Sequence, residues 1–321
     1  TQDGIPYRVN PVAEELARSS VEEVYAKINA DLDEACTLLA GIQVNDVNHY
    51  SEMVAWGLKS RVALAKQDYN NAADYAAKSI ALAEAEGRKL MSGDQLNCGF
   101  ADITSDTQEA MYAAMTPDDK TVYFYSFYAY MSWNFNSSSV RQGVKCINAE
   151  TYETMSQTDL RRAWWDPTGE AEVPAASYAK NVYQNRKFTA RSTANAVGDV
   201  AFMRLAEIYL NQAEALARAG KYAEAQDVFT RFQVTRDPSY VSKGNTGDAL
   251  AEEIMNSRRV ELWGEGFRFY DLKRLHLPIK RGSNFKIAFC TFLEKDKGAQ
   301  GWVWEIPKME TDFNSLCTKN Y

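Results

Sequence analysis

Apolar residues recur at roughly every third or fourth position along several stretches of this chain, the spacing of amphipathic helices. Val21, Val24, Ile28, Leu32, Ala35 and Leu39 form the first stripe. Ser20-Val-Glu-Glu23 precedes it as a capping box, in which a hydroxyl and a carboxylate three residues apart satisfy N–H groups at a helix start. Gly41 closes the stripe, and Asp31, Asp33 and Glu34 fall on its wet side. A second periodic region runs from about Glu52 to Ala85 and a third from Phe202 to Phe232. A fourth opens at Asp248, placed as a helix cap, with Leu250 and Ile254 as its stripe. The first ten residues, TQDGIPYRVN, read as an extended loop.

The second and third regions share a pattern of small and large residues. Trp56, Ser60 and Ala63 lead to Tyr69, Ala72 and Ala76; Tyr209, Ala213 and Leu216 lead to Tyr222, Ala225 and Phe229. Small residues let two antiparallel helices approach, and the Tyr fills space at the turn. Both are expected to be tetratricopeptide-type hairpins, at about 50–86 and 200–233. They lie too far apart for a tandem array, so they read as two hairpins of one helical scaffold. Between them, about 90–197, helical periodicity fades and Gly, Asn, Ser, Thr and aromatics accumulate. Loops, short helices and a short strand pair are expected there, and so long an irregular stretch is where binding residues tend to sit. Past Leu275 the chain is irregular again, with Pro278, Gly282, Gly298 and Gly301, and the apolar run Gly301–Pro307 is expected to pack back on the fold. The expected class is mainly α, as a single domain over 1–321.

Composition narrows the function. With 321 residues, 45% hydrophobic, the chain can bury a sizeable core. A net charge of −7 argues against a nucleic-acid partner. No stretch approaches the ~18 apolar residues of a membrane span. The chain starts at Thr1, not at methionine, so the lack of a visible leader is no evidence for the cytoplasm. Cys36, Cys98, Cys146, Cys290 and Cys317 are odd in number and show no paired spacing, so they read as buried or unreactive thiols. His49 and His276 are far apart, which speaks against a zinc site or a histidine-based triad; no metal or cofactor is expected.

Charge patterning in the fourth region is unusual. Continued at helical spacing, the Leu250–Ile254 stripe meets Arg258, Glu261 and Glu265, with Arg268 and Asp271 extending the set. Charges on a core face must be paired or cost several kcal/mol each. Gly264 and Gly266 suggest a kink or a close backbone contact. Two carboxylates beside an arginine could act as acid and base. The structural reading is a buried ion network of Arg258, Glu261, Glu265, Arg268 and Asp271, with Arg258 paired to Glu261 or Glu265. Two glutamates one turn apart on one helix do not naturally flank a substrate, which favours the structural reading.

The segment Arg258–Arg274, RRVELWGEGFRFYDLKR, resembles the signature of the SusD/RagB family at Arg258, Arg259, Glu261, Leu262, Glu265, Gly266, Arg268, Asp271, Leu272 and Arg274. Leu275 stands where the family often has Trp. Further segments resemble the family in order: GIPYRV near the start, Thr158–Arg161, Asn185–Phe188, Asp199–Tyr222, and Trp304–Tyr321, whose outline is kept while its usual NP and PG are lost. The resemblance implies a SusD-like helical scaffold in a glycan-binding lipoprotein of the Bacteroidetes outer membrane. Such a protein sits at the cell surface and serves polysaccharide utilisation and nutrient uptake. It captures oligosaccharides for a SusC/RagA-like TonB-dependent transporter and is not an enzyme. Family members extend further at the N terminus, so a lipid-bearing cysteine and the first hairpins are expected before Thr1; Cys36, inside a helical stripe, is no candidate anchor. Peptide capture, as in the RagB branch, a tetratricopeptide-like interaction scaffold and a glycoside hydrolase are the alternatives.

Sugar rings present C–H faces that stack on exposed aromatic rings, and their hydroxyls need amide, carboxylate or guanidinium partners. The run Thr121–Asn134 supplies many aromatics. Trp133, followed by Asn134 and Asn136, is the first candidate ligand contact, then Tyr130, Trp164 and Trp165. The plain alternative is that these rings are core. Trp302 and Trp304 read as structural.

Overall fold

The computed structural model describes residues 2–12, 14–103, 109–119, 125–299 and 301–320. Helices α1 (Val21–Leu38), α2 (Glu52–Ala65) and α3 (Tyr69–Ala85) come first, followed by the short α4 (Phe127–Met131), α5 (Ser138–Arg141) and α6 (Ala149–Tyr152). Then come α7 (Leu205–Arg218), α8 (Tyr222–Gln233), α9 (Gly247–Glu261), α10 (Phe267–Arg274) and α11 (Lys308–Phe313). Four two-stranded antiparallel pairs decorate them among the described residues. They join β1 (Asp3–Pro6) to β2 (Arg18–Ser20), β3 (Ala110–Ala114) to β6 (Val200–Arg204), β4 (Trp165–Asp166) to β5 (Gln184–Asn185), and β7 (Ile279–Lys280) to β8 (Glu294–Lys295).

The scaffold is built on α7. Helices α2 and α3 form one antiparallel hairpin and α7 and α8 another; α3 packs on α7, and α9 crosses behind it. Ala72, Ala76 and Ala83 of α3 and Ala206 and Ala213 of α7 are fully buried, so the two axes can approach closely. Ser79 sits in the same interface and satisfies its hydroxyl on the Met53 carbonyl at 2.7 Å. A separate aromatic cluster fills the insertion, from Phe100 through Trp164 and Phe188. Helix α9 joins the two cores: Leu250 and Ile254 face the first and Val260 the second.

Several expected boundaries hold. Ser20 and Glu23 make the capping box, with Glu23 N–H donating to Ser20 Oγ at 3.2 Å and Ser20 N–H to Glu23 Oε2 at 2.7 Å. The stripe of α1, however, is only half buried; Cys36 is its one buried residue. The start of the chain is not a plain loop, since β1 pairs with β2.

Other boundaries move for physical reasons. Residues 200–204 are a strand, not the first turn of a helix, because β3 offers ladder partners; Met203 and Arg204 are buried and Phe202 is exposed. Helix α9 begins at Gly247 with Thr246 at the N-cap, and Asp248 lies in the first turn. The charged stripe does not stay on one helix. It ends with Glu261, and the chain turns through Gly264 (φ +80°) and Gly266 (φ +90°) into α10. A Cβ at Gly264 would lie 2.6 Å from the Phe188 ring, so the glycine is required twice over. Near the end, Trp302 stacks on Phe269 at 5.5 Å and is buried, whereas Trp304 is 78% exposed, so only half of the apolar run packs back. All five cysteines lie outside any disulfide among the described residues, and burial pushes the Cys146 thiol up to about 11. No helix among the described residues is long and apolar enough to cross a membrane.

Candidate functional site

Beneath the junction of scaffold and insertion lies a buried ion network. Glu261 is fully buried; its Oε1 accepts from Arg204 at 3.0 Å and Arg236 at 2.9 Å, and its Oε2 accepts from Arg236 at 3.1 Å and Arg161 at 3.3 Å. Glu109 pairs with Arg204 and, at 3.0 Å, with Arg236. Glu265 receives Arg204 at 2.7 Å and Lys187 at 2.6 Å, and Asp159 holds Arg161 at 2.7 Å. Arg161, Lys187, Arg204 and Arg236 thus face Asp159, Glu109, Glu261 and Glu265, and the charges balance. Burial alone would raise the Glu261 carboxyl, but the Arg236 and Arg204 guanidinia outweigh it and hold it well below the usual range. Burial pulls Lys187 down to about 8 in spite of Glu265, which leaves it protonated at neutral pH. A carboxylate enclosed by three guanidinia has no proton to give and no open lone pair facing a substrate, so the acid–base reading of Glu261 fails.

Arg258 does not belong to this network as expected. It pairs with Asp271 at 3.0 Å and donates to Asn211 at 2.7 Å, not to Glu261 or Glu265. Arg274 completes that second cluster, reaching Asp271 at 2.8 Å and Glu214 at 2.7 Å. Arg268 is half buried and makes no ion pair among the described residues, so its place in the expected network is corrected.

A cleft of about 760 Å³ opens over the network between α2, β6, the insertion and the turn into α10. Phe127, Phe188, Phe202, Phe267 and Tyr270 wall it. Its charged side chains are already engaged. Arg61 is held by Glu207 at 2.6 Å and lies over the Phe267 ring at 5.1 Å; Asp199 is held by Arg191 at 2.8 Å. What remains open is ring surface. From Phe202 in the cleft wall a row of rings continues: Tyr112 leans on Phe202 at 5.8 Å, and Tyr50 stacks on Tyr112 at 4.6 Å. Tyr50 and Phe202 are more than half exposed, and Tyr270 is 69% exposed.

The aromatics singled out in the sequence scatter. Tyr130 is exposed. Trp133 is half buried, with its indole N–H donating to Thr189 Oγ1 at 2.9 Å and the Arg186 guanidinium 4.3 Å from its ring. Asn134 is spent on the Ala190 backbone, donating at 2.9 Å and accepting at 2.8 Å. Trp164 is 1% exposed with its N–H on the Leu96 carbonyl at 2.6 Å, and Trp165 is 3% exposed between Trp164, Tyr152 and Trp263. The structure therefore leaves Tyr130 and Trp133 at the surface and gives Asn134, Trp164 and Trp165 no face to offer a ligand. Residues 121–124 of the aromatic run lie outside the described residues. Tyr50, Tyr112, Phe202 and Tyr270 were missed.

The SusD family model matches residues 53–319. A SusD-like protein from Formosa agariphila is 30% identical over 90 residues, a match that takes in 26% of this chain and 18% of that relative. The chain thus matches less than a fifth of this curated relative's length. Among solved structures, a SusD-like carbohydrate binding protein from Bacteroides vulgatus superposes with a TM-score of 0.80 at 24% identity, over 98% of this chain and 70% of that one. A SusD superfamily protein from Bacteroides thetaiotaomicron gives 0.81 at 22% identity, over 100% and 71%. At such identities the superpositions show a shared fold. The family match over most of the chain, the helical scaffold and the signature segment that seats its ion clusters lead to one conclusion: this chain belongs to the SusD/RagB family.

Proposed function

We propose that the chain captures glycan oligosaccharides without altering them, with the aromatic cleft as the place where sugar rings lodge. The observation that carries this is the stacked row Tyr50–Tyr112–Phe202, exposed at Tyr50 and at Phe202, where it joins the cleft wall. Flat rings left open to water suit the C–H faces of pyranose rings, and a soluble protein seldom leaves so contiguous an apolar strip without a use. Tyr130 and Trp133 are proposed as a further contact on the insertion, where the Arg186 guanidinium lies 4.3 Å from the indole ring. Family membership supports the reading, as does a relative described as carbohydrate binding. On the same basis we place the protein at the outer-membrane surface, held by a lipid anchor, handing its ligand to a SusC/RagA-like TonB-dependent transporter. No catalytic role is assigned.

The largely apolar walls of the cleft favour one second reading, capture of a peptide through its apolar side chains. Calorimetry on cleft variants separates the two. Phe202→Ala and Tyr270→Ala should each weaken oligosaccharide binding about tenfold, the scale of one lost aromatic contact, while melting stays unchanged. Unchanged glycan affinity in both, or tighter binding of peptides than of any oligosaccharide, would displace the proposal.

A further inference from the structure

A second cavity, about 320 Å³, lies on the other side of α9 from the cleft. Arg258 lines the cleft, whereas Asn256 and Val260 line this cavity. At ~100° per residue, Asn256 and Arg258 point to nearly opposite sides of the helix. The floor is polar and buried. Arg161 donates to Ser257 Oγ at 3.2 Å, and Ser257 Oγ donates to Gln233 Oε1 at 2.7 Å. Because its neighbours there are donors, the Gln233 amide must present its oxygen to them and turn its NH2 toward the cavity. Gln233 is 7% exposed, yet Nε2 has no acceptor among the described residues. The Asn256 amide, half buried in the wall, likewise has no partner among them.

The remaining walls add acceptors and one ring. Asp237 is held ionised by Ser156 at 2.5 Å, Thr158 at 2.7 Å and the Ser239 N–H at 3.0 Å. Tyr240 lines the cavity with its ring perpendicular to that of Phe229 at 5.7 Å. Four carboxylates line the cavity, Asp159, Asp237, Glu252 and Glu253, against two cations, Arg161 and Lys243, so an anion is disfavoured, and an apolar ligand would strand the amides. A neutral polyol satisfies both sets: its hydroxyl oxygens accept from Gln233 and Asn256, its hydroxyl protons go to Asp237, and a C–H face lies on Tyr240. The volume is near the lower limit for small-molecule sites and suits one sugar ring.

We infer that this cavity is a second carbohydrate site, one neutral monosaccharide in size, separated from the cleft by α9 and the ion network. The inference rests on the reading of the chain as a glycan binder, so its test is run where the cleft is weakened. In a Phe202→Ala background, calorimetry and saturation-transfer NMR with glucose, galactose, mannose and N-acetylglucosamine should show one of them binding. Asn256→Trp, which fills the cavity, should weaken that binding about tenfold or more, and Gln233→Ala or Asn256→Ala should weaken it less, as loss of one hydrogen bond does. Glucuronate should not bind there. Equal affinity in all Asn256 and Gln233 variants, glucuronate binding as tightly, or no monosaccharide binding overturns the second site. Oligosaccharide binding to the wild-type chain, measured in parallel, tells failure of this site apart from failure of the glycan reading.

Discussion

Residues on the signature segment differ in how replaceable they are. Glu261 is the hub of its network: removing it leaves Arg161, Arg204 and Arg236 short of counter-charge in a dry interior. Glu261→Ala is expected to cost about 3–5 kcal/mol, read by denaturant unfolding. Arg258→Ala should cost less, ~1.5–3 kcal/mol, because Asp271 keeps Arg274 at 2.8 Å as its partner. The reverse ranking would mean that the Arg258–Asp271 cluster, and not the Glu261 hub, holds the scaffold. The charged stripe was legible in the sequence because charges at core spacing require partners. The partners were not, since Glu109, Arg161, Lys187, Arg204 and Arg236 come from segments far away in the chain.

At the scale of elements, what decides the site is a break in a helix. Periodicity carries the stripe straight from Leu250 to Glu265, yet the glycines turn the chain after Glu261 and set α10 along the cleft. Gly264 and Gly266 both have positive φ, but only Gly264 is also crowded, by Phe188 and Met131. Gly266→Ala should therefore cost about 1–2 kcal/mol of backbone strain. Gly264→Ala should cost that plus ~1–3 kcal/mol of overpacking, measured as a larger drop in unfolding midpoint. Equal effects would argue against the close approach. The hairpins 52–65/69–85 and 205–218/222–233 were readable from local spacing alone. The aromatic row was not, because Tyr112 and Phe202 meet only through the β3–β6 pairing, a contact between segments about 90 residues apart.

At the scale of the molecule, the helical core and the aromatic core meet at a layer of paired charges, and that arrangement links stability to pH. Against the cost of burial, the guanidinia of Arg236 and Arg204 hold Glu261, Arg204 and Lys187 hold Glu265, and Arg258 and Arg274 hold Asp271, all below their usual values of 4.5 and 3.8. For carboxyls whose folded pKa is depressed, the stabilisation is complete above the unfolded value and is lost as pH falls through the folded one. Thermal unfolding should therefore hardly vary from neutrality to about pH 5 and fall steeply on acidification below 4.5. A midpoint unchanged down to pH 3 would mean the network does not couple the cores. The same division explains the sites: ring surface gathers on one side of the charged plane and free amides on the other.

The claim that the chain is a glycan-capturing and not a glycan-cleaving protein is met most directly by titration calorimetry against a panel of oligosaccharides, with released reducing ends assayed in the same samples. Saturable heat from at least one oligosaccharide and no new reducing ends is the expected result. New reducing ends, or heat from peptides alone, would contradict it.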